Sequence, residues 1–149
     1  MQNFQEFLEN SLQQNIKKLV PLTGGASADI NRIILEDDKE LIVRRSLSRE
    51  QSAMAIPKKL EAKIQRIVRS LDAPVPEIIF EFSEDEEIGE GYVMEAIPGE
   101  TIPRKILRDD RFKKVRPTIA FRMGEILARI HQSDISNLKE LKKMSLDQY

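Results

Sequence analysis

The sequence predicts an α+β domain with an antiparallel sheet of about five strands, one helix packed centrally on it, and trailing C-terminal helices. This prediction rests on short β-branched runs separated by turns and on apolar residues at helical spacing between and after those runs. A single domain suits 149 residues, of which 40% are hydrophobic and 33% charged. We divide the chain into a leading helix over 1–19, a lobe over 20–99 and the start of a helical segment over 100–149.

The N-terminal third contains one expected helix and a hairpin. Apolar residues recur at steps of three and four over about residues 3–18, which predicts an amphipathic helix. Val20–Leu22 suggests a short strand leading into a glycine turn. Ile30–Leu35 and Leu41–Val43 flank a short acidic turn, so they predict a β-hairpin, with the preceding segment as a third antiparallel strand.

The remaining elements follow the same patterns. An apolar stripe from Lys58 to Leu71 predicts a helix, which the prolines after it end. Strands are expected at Ile78–Phe80 and Gly91–Ile97. Helices are expected after Pro103, with one apolar stripe at Ile119, Met123, Ile126, Leu127 and Ile130, and a short final helix from Ile135 to Met144.

Composition and charge exclude several classes of function. The net charge of −1 gives no long-range attraction to nucleic acid or anionic membranes. The basic stretch from Arg104 to Arg116 contains one aromatic residue, so it is interpreted as a solvated helix face, with binding of nucleic acid or an acidic substrate as the alternative. No cysteine is present, which excludes disulfides and thiolate metal sites, and the single histidine, His131, is interpreted as structural. No secretory signal or membrane-spanning run is recognisable, so a cytoplasmic protein is expected.

A glycine turn is the first candidate binding feature. Gly24, Gly25, Ala26 and Ser27 lie between two expected strands, and small residues let backbone N–H groups approach a phosphate closely. The alternative is an ordinary hairpin turn in which glycine supplies a positive φ.

A strand cation and a helix carboxylate form the second candidate. Strand alternation places Ile42 and Arg44 on one face. An apolar strand that ends in a cation resembles the V-A-I-K strand of protein kinases, and this resemblance implies that Arg44 holds phosphate oxygens and that Ile42 lies under an adenine ring. Glu61 lies at the edge of the apolar stripe of its helix and is positioned to pair with Arg44. The alternatives are a snorkelling arginine at a strand end and a solvated glutamate.

The end of the last expected strand is the third candidate. Met94, Glu95 and Ile97 precede Pro98-Gly99. By resemblance to a kinase fold, this strand would lead into a hinge whose backbone contacts adenine through the Glu95 carbonyl and the Ile97 N–H. A core strand ending in a Pro-Gly turn is the alternative.

The order of these features resembles the aminoglycoside phosphotransferase (APH) family of kinase-like small-molecule phosphotransferases. The resemblance covers roughly residues 18–135, at Leu22–Ser27, Leu41–Arg45, Ala73–Ile78, Tyr92–Gly99 and Gly124–His131. It implies the fold of a protein-kinase-like N-terminal lobe. Arg44 stands where most kinase-like enzymes have lysine, and the two side chains bind phosphate with different geometry.

The resemblance also implies a reaction, namely transfer of the γ-phosphoryl group of ATP, with GTP left open, to a small-molecule hydroxyl. The family's His-Gly-Asp catalytic segment does not occur in this sequence. We therefore expect the catalytic loop and the residues for Mg²⁺ to belong to a missing C-terminal lobe. The alternative is a non-catalytic kinase-like interaction module that self-associates, for instance as a homodimer.

Overall fold

A computed structural model describes residues 3–22, 28–47, 56–83, 87–136, 138–139 and 141. Its strands are β1 (Ile16–Pro21), β2 (Asp29–Leu35), β3 (Glu40–Ser46), β4 (Ile78–Ser83) and β5 (Glu90–Glu95). Its α-helices are α1 (Phe4–Leu12), α2 (Lys58–Arg69), α3 (Pro103–Arg108) and α4 (Arg116–His131), with a short 3₁₀ helix over Asp110–Phe112 between the last two. The predicted α+β class is confirmed.

The strands form one antiparallel sheet with the order β1-β2-β3-β5-β4. The predicted hairpin is β2–β3, in which Ile33 lies opposite Leu41. The predicted third antiparallel strand is β1, which pairs with β2. Since α2 connects β3 to β4 and packs on β3, β4 and β5, the sheet is that of a kinase-like N-terminal lobe.

The leading helix is shorter than predicted, because α1 ends at Leu12 instead of continuing to residue 18. Gln13 adopts a left-handed conformation with φ 53° and caps the helix by donating its N–H to the Glu9 carbonyl. Ile16 then begins β1 and donates its N–H to the Glu9 carboxylate at 3.0 Å. The helical spacing is misleading here because Ile16 would be buried in either conformation, and pairing with β2 selects the strand.

The sheet has an apolar core on each face. One face packs against α1, where Leu8, Ile33, Val43 and Val93 are fully buried. The other face packs against α2 through a smaller cluster that includes Tyr92 and, half-buried, Met94. Because successive strand residues point to opposite faces, Ile42 and Arg44 project on the α2 side while Leu41 and Val43 enter the larger core.

Two glycines near β5 have different constraints. A Cβ on Gly91 would lie 2.5 Å from the Phe82 ring and 2.6 Å from the Arg44 carbonyl oxygen, so only glycine fits there. Gly89 has φ +78° and a similarly close backbone neighbour. At Gly91, β5 therefore approaches β3 and β4 too closely for a side chain.

The C-terminal part is helical as predicted, although the short helix expected from Ile135 is absent from the described residues between 132 and 141. Met144 lies outside the described part of the chain. Arg129 of α4 donates to the Asp72 carbonyl oxygen at 3.0 Å, which ties α4 to the segment after α2. Within the described ranges, no helix combines the length and apolar character needed to cross a bilayer.

Candidate functional site

The predicted pair of strand cation and helix carboxylate is present. Arg44 Nε on β3 donates to Glu61 Oε2 on α2 at 3.0 Å, and both side chains are about three-quarters buried. Strand alternation directs Arg44 toward α2, and the first turn of α2 directs Glu61 toward the sheet. The ion pair therefore joins the sheet to its packed helix, and the solvated alternative for Glu61 was wrong.

Two further residues, neither of them predicted from the sequence, complete this cluster. Lys58 Nζ donates to Glu61 Oε1 at 2.7 Å, and the Tyr92 hydroxyl donates to Glu61 Oε2 at 3.3 Å. The i,i+3 spacing of Lys58 and Glu61 is a signal for such a pair on a helix. Nothing local in the sequence signals that Lys58 is buried or that Tyr92 faces the same carboxylate.

Ionisation in this cluster follows from the burial and the charges around Glu61. Burial opposes the charged form of Glu61, but hydrogen bonds from Lys58 and Arg44, together with their positive charges, outweigh it and lower the pKa below the ordinary 4.5. Burial, reinforced by the negative charge of Glu61, raises the pKa of Tyr92 to about 12. At neutral pH the site thus holds a charged carboxylate and a neutral phenol that donates to it.

Helix α2 is tied to the sheet at its start and to the segment before β4 toward its end, which fixes the position of Glu61. At its start, the Lys59 N–H donates to the Glu90 carboxylate of β5 at 2.8 Å, which replaces the missing N-cap side chain. Toward its end, Gln65 Nε2 donates to the Pro76 carbonyl oxygen at 2.8 Å. Arg69 donates to the Val75 carbonyl oxygen at 2.7 Å. These hydrogen bonds hold the helix in the position that pairs Glu61 with Arg44.

An open cleft of about 570 Å³ lies beside the cluster. Arg44, Glu61 and Tyr92 form its polar end, and α2 contributes apolar side chains such as Ile64. Ile130 of α4 also lines it. A concave, mostly apolar surface with a few convergent charged groups is typical of a ligand site.

The other predicted site residues fall into three groups. Met94 lines the cleft, and Ile42 is its cross-strand neighbour in the β3–β5 register, so these two apolar residues lie side by side. Glu95 ends β5 and Ile97 follows it, both exposed and outside the lining of this cleft. The glycine turn, with Gly24, Gly25, Ala26 and Ser27, lies outside the described residues.

A metal centre is not formed by the described parts of the chain, where no three or more histidine or acidic side chains are grouped to hold an ion. Glu61 is engaged by two cations and a hydroxyl group. The residues present here therefore do not fit Mg²⁺, and none of the roles assigned to them requires it.

A five-stranded antiparallel sheet, a helix packed on it, and a strand cation paired with a helix carboxylate are the features of a kinase-like N-terminal lobe. The chain matches the model of the phosphotransferase enzyme family (APH) over residues 18–146, and it belongs to that family. A search of curated proteins finds no match. The family assignment supports a kinase-like phosphotransfer function.

Proposed function

We propose that this chain is the nucleotide-binding portion of an ATP-dependent phosphotransferase that acts on a small-molecule hydroxyl. The observation that carries the proposal is the Arg44–Glu61 pair at the polar end of the cleft. Membership of the phosphotransferase family supports the reaction class. The partners would be a nucleotide donor and a small-molecule acceptor, and the location would be the cytoplasm, where ATP is available.

Arg44 is the residue proposed to hold the nucleotide phosphates. Among the described residues its side chain donates only through Nε, to Glu61. The two terminal nitrogens of the guanidinium are then available to phosphate oxygens, and its planar fork suits bidentate contact. Glu61 fixes the orientation of the fork, so the phosphates would bind at a preorganised site.

The adenine ring would lie toward the far end of β5. Ile42 and Met94 offer it an adjacent apolar pair, and Glu95 and Ile97 would offer hinge carbonyl and N–H groups. Gly24, Gly25, Ala26 and Ser27 would cover the phosphates. Backbone contacts of this kind recognise a purine without a dedicated side chain, so ATP is the proposed donor and GTP the alternative.

Catalysis needs groups beyond this site. Phosphoryl transfer depends on positioning and on charge neutralisation by metal ions and a base that orients the acceptor hydroxyl. The sequence lacks a His-Gly-Asp segment, and the described residues group no metal ligands. We therefore expect these 149 residues to bind nucleotide and to turn over no acceptor by themselves.

Calorimetric titration with ATP–Mg²⁺ and with GTP–Mg²⁺ tests the proposal, with Arg44→Ala as the variant. Charge-assisted hydrogen bonds contribute about 1.5–3 kcal/mol, so Arg44→Ala should weaken binding by roughly 10- to 100-fold. Arg66→Ala is the control, because Arg66 lies on the same helix as Glu61 but pairs with Glu81 in an exposed ion pair. Equal binding by Arg44→Ala and Arg66→Ala would refute the assignment of Arg44.

Self-association without catalysis is the second candidate, and one surface favours it. Within the described part of the chain, Phe121, Met123 and Leu127 of α4 are exposed by half or more. Apolar surface of this kind favours association. Sedimentation analysis of the wild type beside Leu127→Glu tests it: a dimer that the variant disrupts supports this candidate, and a monomer at high concentration excludes it.

A further inference from the structure

Lys58 occupies a position that two general preferences disfavour. It is the first residue of α2, where the helix dipole repels a cation, and only 3% of its surface is exposed. Lysine is almost never so buried unless it is paired. A residue that breaks local rules in this way marks a candidate functional position, provided that its partners give it a role.

The partner of Lys58 is the carboxylate that also holds Arg44. Lys58 Nζ lies 2.7 Å from Glu61 Oε1, and Arg44 Nε lies 3.0 Å from Glu61 Oε2. An ion pair of one arginine and one carboxylate has no net charge, so it attracts a phosphate only weakly beyond contact distance. One carboxylate shared by two cations leaves the cluster with a net charge of +1.

We propose that Lys58 is a positioning residue that neutralises the Glu61 carboxylate through its second oxygen, Oε1, so that Arg44 keeps an uncompensated positive charge for the nucleotide phosphates. This inference rests on the proposed function and deepens it. Lys58 is buried and Arg44 lines the cleft, so Lys58 acts through Glu61 and not by contact with the phosphates.

Two other roles for Lys58 predict different behaviour. A purely structural ion pair would affect folding stability but leave the salt dependence of nucleotide binding unchanged. A direct phosphate contact would be lost with Lys58 whatever the state of Glu61. Charge compensation alone predicts that removing the negative charge of Glu61 restores the binding lost with Lys58.

The test is calorimetry with ATP–Mg²⁺ at low and high ionic strength on the full 149-residue chain. Lys58→Met should weaken binding about tenfold at low ionic strength, and the difference should shrink as salt screens the charge. Lys58→Arg should bind within about twofold of the wild type because it keeps the charge. Lys63→Met, an exposed lysine on the same helix, is the matched control and should also remain within about twofold.

The double variant Lys58→Met/Glu61→Gln should recover most of the affinity lost in Lys58→Met, because Arg44 is again uncompensated and the glutamine amide oxygen still accepts from its Nε. Failure of this restoration, or equal binding by Lys58→Met and Lys63→Met, overturns the inference. No binding by a folded wild type overturns the proposed function itself, which separates the two failures.

Thermal unfolding of every variant checks that it folds. If Lys58→Met alone does not fold, the affinities of Glu61→Gln and of the double variant are compared instead, because these two proteins differ only at Lys58. Glu61→Gln is expected to bind about tenfold more tightly than the double variant at low ionic strength. Equal affinities would overturn the inference.

Discussion

Removal of the Glu61 carboxylate is the perturbation for which the structure gives the clearest magnitude. Glu61→Ala leaves Arg44 and Lys58 without their shared acceptor and takes away the partner of the Tyr92 hydroxyl. Breaking a buried ion pair by deleting one member costs about 3–5 kcal/mol. Because the Glu61 side chain is 23% exposed, we expect the lower end, about 3 kcal/mol of unfolding free energy.

Urea denaturation with a circular dichroism readout measures this loss. For a domain of this size, a loss of about 3 kcal/mol corresponds to a fall of about 6–12 °C in Tm. The control is Glu40→Ala, which removes the 3.4 Å pair with Arg32 on the exposed part of the β-hairpin. An exposed pair of that kind contributes less than about 1 kcal/mol.

The pH dependence supplies a second test of the same carboxylate. Since the folded-state pKa of Glu61 is lowered, its ionised form stabilises the fold above the unfolded-state pKa, and this stabilisation is lost as the pH falls through the folded-state pKa. The stability difference between wild type and Glu61→Gln should therefore be constant near neutral pH and shrink in acid. The reasoning would be refuted if Glu61→Ala lost no more unfolding free energy than Glu40→Ala. It would also be refuted if the stability difference between wild type and Glu61→Gln did not shrink in acid.

Three other predictions concern the sheet and the helices packed on its two faces. Gly91→Ala should lower the unfolding free energy, measured by urea denaturation, by about 1–3 kcal/mol, because its Cβ would overlap the Phe82 ring. Gly99→Ala is the control, and it should change this free energy by less than about 0.5 kcal/mol because the space around Gly99 is open. Equal losses would contradict the close approach. Tyr92→Phe should cost about 1 kcal/mol. Spectrophotometric titration should show one of the two tyrosines ionising near pH 12, and this transition should be absent from Tyr92→Phe, which would assign it to Tyr92. The contribution of the Tyr92 hydroxyl to stability should be lost as the pH rises from 10.0 to about 12. Leu8→Ala should lower the unfolding free energy by about 3 kcal/mol, because this fully buried side chain packs α1 against the sheet. A loss below about 1 kcal/mol in thermal unfolding would show that α1 is not part of the core.

The sequence by itself determined the elements whose patterns are local. Alternation over Leu41–Arg44 placed Ile42 and Arg44 on one face, and the period of the stripe after Lys58 placed Glu61 at the edge of the apolar side of its helix. Both positions depend only on residue spacing, and the structure confirms the ion pair that they predict. The prolines after α2 and β5 likewise marked where a helix and a strand end.

The tertiary structure decided what depends on distant partners. Only pairing with β2 shows that residues 16–21 are a strand, and only the sheet order β1-β2-β3-β5-β4 sets Tyr92 beside Arg44. The burial of Lys58 likewise follows from the docking of α2 on the sheet. The burial of Lys58 and the contact of Tyr92 with Glu61 are fixed by segments far away in sequence, and residue spacing carries no information about either.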